Sequence, residues 1–574
     1  MARTRLVIER DVAARMRDGT TLYADIYRPD GAGDLPVLLM RLPYDKQDAE
    51  TVAYAHPAWY ARHGYMVVVQ DTRGRWRSEG EFFPFARELE DGYDSVEWSA
   101  ALPGSNGNVG MYGFSYVGAT QLWAAIAQPP HLVCICPGFT SADYYDGWAY
   151  QGGALSLAFD EYWALYLATE TARRLGGSKL ESVVEDALLD LRRWNYALPL
   201  KAFPPLRGHA AAPYFFDWLR HERRDAYWRR WSVQEHYAQI HVPALHIAGW
   251  YDIFLDGTLR NFRGIREQSS SARARAHQRL IVGPWHHMPW SPLVGELDFG
   301  PPALNHIDAY QLRWFDHWLK GDDTGLLQEP PVRAFIVGED RWRDFDDWPP
   351  PEARPVPLYL ASGGRANSLA GDGSLRRVPP TGEAEPDIFV YDPRAPVPSR
   401  GGHSCCQAEL VPMGPADQRA VEVRNDVLVY TSEPFAHPCL LAGAIELRLY
   451  AATTAPDTDW TAKLVDVHPD GRAININDGI IRARYRRSLE RAELLEPERV
   501  YEYTIAVGAA GWRVAPGHRL RLEVSSSNFP MYDRNPNTGH PLGEDAISDL
   551  RTATQTVYHE QAYPSRVIIR IFES

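Results

Sequence analysis

Residues 106–120 read NGNVGMYGFSYVGAT, and this stretch decides the fold. An apolar run, a corner of small residues that carries Ser115, and a helical run from Tyr116 predict a strand, a tight turn and a helix. A serine at such a corner projects its hydroxyl above a sheet, at the N-terminus of the following helix. The segment 113–118 departs from the pattern Gly-x-Ser-x-Gly by one place, because Val117 stands where the second glycine is expected. Taken alone, it fits a nucleophile or an ordinary helix-capping serine equally well.

The segments around this corner alternate between strand and helix patterns. Continuous apolar runs at 36–40 (PVLLM), 65–70 (YMVVVQ) and 132–136 (LVCIC) predict strands buried on both faces, with helices between them. Strand patterns return at 243–248 and 279–282. This alternation predicts an α/β fold, in which a parallel sheet carries helices on both faces.

A stretch with helical patterns alone interrupts the sheet pattern. Residues 153–175, 179–198 and 214–231 predict three helices with no strand between them. Beyond the run WPPP at 348–351, short β-rich runs separated by turn residues predict an all-β sandwich. The chain of 574 residues is thus divided into four predicted segments: a first α/β part at 1–144, a helical cap at 145–240, a second α/β part at 241–350 and an all-β domain at 351–574.

Composition argues against several classes of function. The net charge of −14 disfavours a nucleic-acid partner, since phosphate binding needs clustered Lys and Arg. No run approaches the ~18 consecutive apolar residues of a membrane span, and the N-terminus lacks a signal-peptide pattern, so we expect a soluble, cytoplasmic protein. The odd count of five cysteines argues against a disulfide framework. No nucleotide-binding glycine motif is present, and we expect no metal and no cofactor.

A serine nucleophile needs a base that an acid orients, and in this fold both follow the ends of later strands, acid first. Asp252 follows the first strand after the insertion, and Asp256 competes with it one helical turn later. His286 and His287 follow the next strand. Each residue also fits a helix cap, a loop contact or a metal ligand. Three such residues at three successive strand ends favour a catalytic triad.

Six motifs give the chain a resemblance to a known family: RLPY at 41–44, QDTRG at 70–74, GFSYVG at 113–118, GWYD at 249–252, GPWHH at 283–287 and DRNPNTG at 533–539. It resembles the cocaine esterase/NonD hydrolases, which are related to Xaa-Pro dipeptidyl peptidases and α-amino acid ester hydrolases. The resemblance covers nearly the whole chain. It implies a hydrolase domain with an inserted helical cap, followed by a C-terminal jelly roll.

The resemblance also implies roles for individual residues. The nucleophile motif of the family is Gly-x-Ser-Tyr-x-Gly, so Ser115 becomes the nucleophile and Val117 is no departure. The family's acid falls on Asp252. Its histidine closes a Pro-Trp-x-His motif, which selects His287 over His286.

The oxyanion hole implied by the resemblance combines the hydroxyl of Tyr44 with the backbone N–H of Tyr116. Tyr44 also follows the predicted strand at 36–40, where the second oxyanion donor of this fold is expected. A phenol can donate to a developing negative charge while it stays neutral near pH 7.

Other residues are candidates for binding or support. The candidates for an acyl pocket are Trp148, Phe159, Trp163 and Phe254. The carboxylates that could hold a substrate ammonium, although we expect them to be solvated, are Asp143, Asp146, Asp160 and Glu161. Residues 71–75 are expected to form a structural ion-pair network, and 221–225 a surface segment of a basic helix. The loop RGGH at 400–403 matches the family and has no role that the sequence provides.

These patterns together predict a serine carboxylic ester hydrolase that forms an acyl-enzyme with apolar or aromatic acyl groups. Alternatives are an α-amino acid ester hydrolase or β-lactam acylase, a Xaa-Pro dipeptidyl peptidase, and a carbohydrate-binding protein with a vestigial hydrolase core. The expected partner is a small-molecule ester, with no nucleic acid and no membrane. Whether the chain forms a homo-oligomer is left open.

Overall fold

The computed structural model describes residues 5–49, 51, 53–288 and 290–572. The strands of its first 350 residues are, in chain order, β1 (Leu6–Arg15), β2 (Thr21–Pro29), β3 (Leu35–Leu42), β4 (Met66–Asp71), β5 (Ser105–Phe114), β6 (Leu132–Gly138), β7 (Tyr150–Gln151), β8 (Ala154–Leu155), β9 (Ala244–Tyr251), β10 (Gln278–His286), β11 (Leu293–Val294), β12 (Leu297–Asp298), β13 (Val332–Ile336) and β14 (Arg341–Phe345). The helices are α1 (Pro57–Arg62), α2 (Glu88–Ala100), α3 (Tyr116–Ala127), α4 (Leu157–Leu189), α5 (Leu191–Asn195), α6 (Pro213–Arg220), α7 (Ala226–Arg229), α8 (Leu255–Gln268), α9 (Ala272–Ala276) and α10 (Ile307–Phe315).

One large sheet organises this part of the chain, in the strand order β1-β2-β4-β3-β5-β6-β9-β10-β13-β14. Strands β4 to β13 of that order pair in parallel, and β5 lies between β3 and β6. The inner strands β3 and β4 are buried along their whole length, as their continuous apolar runs require. The carboxyl ends of the parallel strands therefore meet at one edge of the sheet, where α/β proteins place their sites.

The sequence patterns do not predict the antiparallel edge that β1 and β2 form. Strands β1 and β2 form a hairpin that joins the sheet through β4. The β1 segment LVIERDVAAR mixes charged with apolar residues and is only half buried, so it lacks the continuous apolar run of the central strands. Apolar patterning alone does not separate such an edge strand from a loop.

The cap between β6 and β9 is helical, as predicted, but its third helix is not continuous. Residues 221–225 separate α6 from α7, and the Asp225 side chain accepts a hydrogen bond from the backbone N–H of Tyr227 to cap α7. The prediction of one helix over 214–231 was therefore wrong. The segment 221–225 lies at the surface, as predicted, with Arg223 exposed, but it is not helical, and Arg224 is largely buried and pairs with Asp143. A capping aspartate within a helical pattern is the signal that marks this break.

The remainder of the chain is a β-sandwich. Its elements are β15 (Arg354–Ala361), β16 (Ser374–Arg376), β17 (Asp387–Tyr391), α11 (Arg419–Glu422), β18 (Leu428–Ser432), β19 (Cys439–Thr453), β20 (Asp459–Val467), β21 (Ala473–Arg482), β22 (Tyr501–Val514), β23 (Arg519–Ser525), β24 (Ala553–Tyr558) and β25 (Arg566–Phe572). Long antiparallel pairings such as β19 with β22 dominate it. The predicted fold class, an α/β-hydrolase domain with an inserted cap and a C-terminal jelly roll, is confirmed.

The motif DRNPNTG ties the jelly roll to the cap. Asp533 accepts hydrogen bonds from the backbone N–H of Leu155 at 2.8 Å and from Arg482 at 2.9 Å. Ala158, in the first turn of α4, donates its backbone N–H to the carbonyl of Pro530 at 3.1 Å. The base of the cap is thus held by the C-terminal domain as well as by the sheet.

Three cysteines, Cys134, Cys136 and Cys439, are buried free thiols. Cys405 and Cys406 are joined by a disulfide between sequence neighbours. This bond closes no loop between distant segments, so it provides no cross-linked framework. Among the described residues, no helix has the length and apolar character needed to cross a membrane.

Candidate active site

The corner that follows β5 holds Ser115 in a backbone conformation that side chains rarely adopt. Its φ is 62° and its ψ −126°, directly before α3 begins. The corner packs closely against β6, since a Cβ atom on Gly118 would lie 2.7 Å from the carbonyl oxygen of Gly138. Val117 is fully buried in the core. The glycine is therefore needed one position later than in Gly-x-Ser-x-Gly, and this explains the spacing of the motif.

Ser115, His287 and Asp252 form one hydrogen-bonded row. The Nε2 atom of His287 lies 3.0 Å from Oγ of Ser115, and its Nδ1 atom lies 2.7 Å from Oδ1 of Asp252. All three side chains are buried. Ser115 follows β5, Asp252 follows β9 and His287 follows β10, so the parallel sheet brings together residues that are far apart in the sequence. This arrangement can deprotonate the serine hydroxyl and stabilise the resulting imidazolium.

The two competing residues lie outside this row. His286 accepts a hydrogen bond on Nδ1 from the backbone N–H of Met288 at 3.1 Å. Burial, followed by the neighbouring His287, lowers the pKa of His286 to about 4. Asp256 lies in the first turn of α8 and pairs with Arg260 at 2.8 Å.

The two oxyanion candidates, Tyr44 and the backbone N–H of Tyr116, come from the ends of different elements. Tyr44 follows β3 and is half buried, and its hydroxyl oxygen accepts a hydrogen bond from the indole N–H of Trp163 in the cap at 3.2 Å. That bond uses a lone pair of the phenol and not its hydrogen. Tyr116 is the first residue of α3, so its backbone N–H belongs to the positive end of that helix. The Tyr116 side chain is anchored elsewhere, donating its hydroxyl to Glu88 at 2.8 Å.

Arg75 supports the Tyr44 turn. Its guanidinium donates to the carbonyl of Pro43 at 2.8 Å and to the carbonyl of Leu167 in α4 at 2.8 Å. Arg75 is buried and lies 3.4 Å from Glu170. It therefore bridges the residue before Tyr44 to the cap. Arg75 belongs to an ion pair, as the sequence predicts, but its hydrogen bonds to the two carbonyls join segments that no local pattern connects.

The other charged residues of that network form ion pairs as expected. Arg73 pairs with Asp91 at 2.6 Å and with Asp18 at 2.8 Å. Asp71 accepts the backbone N–H of Lys46 at 2.7 Å, and burial raises the pKa of its carboxyl to about 7. Arg73 thus ties the loop after β4 to α2 and to the β1–β2 turn, and Asp71 ties the end of β4 to the segment after β3.

The four aromatic pocket candidates form one cluster, which contacts the histidine through Phe254. Phe254 packs edge-on against His287, with ring centroids 5.0 Å apart, and stacks on Trp148 at 4.3 Å. Phe159 and Trp163 stack on each other at 5.9 Å, and both contact Trp148. The cluster is an apolar wall beside the triad. Phe254, which closely follows the acid, contributes to it together with three residues of the cap.

The cap carboxylates are not solvated, contrary to expectation. Asp143, Asp160 and Glu161 are buried, and Asp146 is partly buried. Asp143 accepts hydrogen bonds from Arg224 and from Gln234. Neither oxygen of Asp160 has a hydrogen-bond partner among the described residues. Burial raises the pKa of Asp160 well above its ordinary value and that of Glu161 to about 8.

One group of described residues has metal-ligand types close together. Ligand atoms of Asp466, His468 and His518 lie within 4.8 Å of one another at the end of β20. Asp466 already accepts hydrogen bonds from His518 at 2.9 Å and from Trp512 at 2.9 Å. The group contains none of the triad residues.

A serine, a histidine and an aspartate joined in a row at the ends of parallel strands, beneath an inserted cap, place the chain in the α/β-hydrolase class. Two family profiles match it. Residues 18–289 match the X-Pro dipeptidyl-peptidase (S15 family), and residues 324–568 match the X-Pro dipeptidyl-peptidase C-terminal non-catalytic domain.

Individual relatives agree with the profiles. The chain is 38% identical to the cocaine esterase of a Rhodococcus species, over 98% of both chains. An aminopeptidase from a marine sediment thaumarchaeon has a TM-score of 0.82 at 26% identity and covers 99% of this chain and 97% of its own. An α-amino acid ester hydrolase has a TM-score of 0.80 at 26% identity, with the same coverage. The chain belongs to the cocaine esterase (CocE/NonD) family of hydrolases.

Proposed function

We propose that the chain is a serine carboxylic ester hydrolase that works through an acyl-enzyme. The observation that carries the proposal is the row Ser115–His287–Asp252, with distances of 3.0 and 2.7 Å. The relationship to cocaine esterase supports an ester as the substrate. The triad supplies all the proton transfers that ester hydrolysis requires.

The proposed reaction has two stages. Oγ of Ser115 attacks the ester carbonyl while Nε2 of His287 takes the hydroxyl proton, and Asp252 stabilises the imidazolium. Tyr44 and the N–H of Tyr116 donate to the oxyanion. The carbon–oxygen bond to the alcohol then breaks, and His287 returns the proton to the leaving oxygen. Water attacks the acyl-enzyme in the same manner, with His287 again as the base.

The proposed acyl groups are apolar or aromatic. Support comes from the wall of Trp148, Phe159, Trp163 and Phe254 beside His287. A cleft of about 390 Å³ runs from Tyr44 along α4, and its lining is mostly charged and polar. An uncharged acyl group could pack against this apolar wall without the cost of burying an unpaired charge.

The test uses p-nitrophenyl butyrate and the variant Ser115→Ala. We expect an initial burst of p-nitrophenol in the native enzyme, because acylation releases the alcohol before deacylation. Ser115→Ala should keep the fold and lose about 10⁴-fold or more in kcat. A fluorophosphonate probe should add one covalent group to the native chain and none to the variant. Near-native turnover by Ser115→Ala, or carbohydrate binding without any turnover, would overturn the proposal.

A second candidate is an α-amino acid ester hydrolase or an aminopeptidase. It is favoured by the buried carboxyl of Asp160, which has no hydrogen-bond partner among the described residues and could receive a substrate ammonium, and by the similarity to two such structures. The raised pKa of Asp160 counts against it, because a neutral carboxyl attracts an ammonium weakly. Turnover of an alanine ester well above that of the propionate ester, lost in Asp160→Asn, would favour this candidate. Equal turnover would favour the uncharged acyl group.

A further inference from the structure

The loop RGGH at 400–403 reaches from the jelly-roll side to the turn that carries the triad acid. Nε2 of His403 lies 2.8 Å from the carbonyl oxygen of Trp250, two residues before Asp252. Its Nδ1 lies 3.0 Å from Oδ1 of Asp478 on β21. His403 therefore connects the hydrolase sheet to the jelly roll through a single side chain.

The partners of His403 define its protonation. A carbonyl oxygen only accepts hydrogen bonds, and so does an ionised carboxylate. Both ring nitrogens must then carry hydrogen, so His403 is an imidazolium in this arrangement. Burial opposes the charge, but the hydrogen bond and the charge of Asp478 outweigh burial and raise the pKa of His403.

The glycines of the loop make this approach possible. A Cβ atom on Gly402 would lie 2.4 Å from an oxygen of Asp478, and φ at Gly402 is 97°. Only glycine tolerates both conditions. Asn528 donates to the second oxygen of Asp478 at 3.2 Å, which fixes the carboxylate.

The end of β9, which leads to Asp252, is held by two contacts. A Cβ atom on Gly249 would lie 2.2 Å from the carbonyl oxygen of Trp285, so the backbone is pressed against β10 at this point. His403 holds the next residue through the carbonyl oxygen of Trp250. Asp252 uses Oδ1 for His287, while its Oδ2 has no hydrogen-bond partner among the described residues. A buried carboxylate of this kind needs a compensating positive charge nearby.

We propose that His403 is a positioning residue for the triad, an imidazolium held by Asp478 that fixes the carbonyl of Trp250 and so aims Asp252 at His287. This role rests on the proposed function of Ser115. It assigns the jelly roll a part in catalysis, because Asp478 belongs to that domain. The alternative is that His403 only joins the two domains, and then its loss would change stability and leave the chemistry intact.

Other charges face the pair across a cavity of about 340 Å³. The charged groups that line it, besides Asp252, His403 and Asp478, are Asp146, Asp256, Arg260, Arg486 and Arg487. Arg260 pairs with both Asp146 and Asp256, so these three largely compensate one another. Lys463 on the adjacent β20 contributes a positive charge near Asp478.

The experiment compares His403→Gln, Asp478→Asn and the double variant with the native enzyme, using p-nitrophenyl butyrate. We expect each single variant to lose about 10- to 100-fold in kcat, which is the loss typical of residues that orient another functional side chain. KM should stay within about threefold of the native value. The double variant should lose no more than the worse single one, because the two residues act as a unit. The matched control is His559→Gln, which breaks another buried His–Asp pair, at 3.0 Å from Asp387, wholly within the jelly roll. It should keep native kcat.

The pH profile supplies a readout that a purely structural role would not move. Because the pKa of His403 is raised above the ~6.5 of an unfolded histidine, its contribution is complete below that value and disappears as pH rises through the raised pKa. Native kcat should therefore fall on the alkaline side, and this fall should be absent from His403→Gln. If His403→Gln does not fold, Asp478→Asn provides the comparison: it should shift the alkaline fall to lower pH, because it removes the carboxylate that raises the pKa of His403.

Several outcomes would overturn the positioning role. They are a kcat within threefold of native in the folded His403→Gln variant, multiplicative losses in the double variant, the same loss in His559→Gln, or an unchanged alkaline limb. The Ser115→Ala result separates this failure from that of the proposed function. An inactive Ser115→Ala beside a fully active His403→Gln would reject the positioning role alone.

Discussion

The two sides of the candidate site are built by different means. On the nucleophile side, Ser115, Asp252 and His287 follow the ends of parallel strands, and the sheet itself fixes their separations. On the oxyanion side, Tyr44 is half buried, and side chains from the cap, Trp163 among them, contact it. The first side is defined by the strand ends, whereas the position of Tyr44 on the second side depends on packing between segments. Substitutions on the first side should abolish the chemistry, and those on the second should reduce it by degrees.

The largest expected effect distinguishes His287 from His286. His287→Ala should lower kcat by about 10⁴-fold or more, because it removes the base that contacts the Ser115 hydroxyl. His286→Ala should keep most of the activity, since its Nδ1 atom contacts only the local backbone. Steady-state kinetics on p-nitrophenyl butyrate measure both. The reverse ranking would show that the row in the structure is not the working triad.

The next effect distinguishes Asp252 from Asp256. Asp252→Asn should cost about 10⁴-fold in kcat, because an amide stabilises the wrong histidine tautomer. Asp256→Asn should change kcat by less than about twofold, as an exposed ion pair with Arg260 contributes little. Equal losses in the two variants would contradict the comparison between backbone-fixed and peripheral residues.

Tyr44→Phe tests the oxyanion side. The change deletes one donor and keeps the ring, so kcat should fall by about 10²- to 10³-fold, while KM moves little. A fall of less than about tenfold would leave Tyr44 with a packing role. A rise in KM alone would make it a substrate-binding residue.

The smallest effect is expected from Trp163→Phe, which removes the indole N–H that donates to Tyr44 and keeps an aromatic ring in the cluster. A neutral hydrogen bond contributes about 0.5–1.5 kcal/mol, so kcat should fall by about 2- to 12-fold. In the Tyr44→Phe background, the same change should have almost no further effect, because its partner is already gone. Independent losses would mean that Trp163 acts through the acyl pocket.

The parts of the fold that the sequence predicts well are those that repeat a strong pattern. The buried runs around Ser115 predict β3 to β6, and the strand ends before Asp252 and His287 follow from the same logic. The hairpin β1–β2 was missed because β1 is half buried and its charged residues interrupt the apolar pattern that marks a strand. The break before α7 was missed because Asp225 caps a helix within an otherwise helical run.

The parts of the site that depend on contacts between distant segments were less predictable. The aromatic residues of the cap could be named, but their arrangement around His287 depends on how α4 packs. The burial of Asp160 does not follow from its residue type, since carboxylates are ordinarily exposed. The contact of His403 with Trp250 joins residues 153 positions apart. No local pattern contains that information.

The attachment of the cap at 155–158 to the jelly roll at 530–533 has a consequence for chimeric enzymes. The backbone N–H groups of Leu155 and Ala158 find their acceptors on Asp533 and Pro530. A cap transplanted from a relative keeps these bonds only if its backbone lies in the same position against the segment 530–533. Exchange of caps between family members therefore has to preserve the contact of the cap with the jelly roll as well as its contact with the sheet.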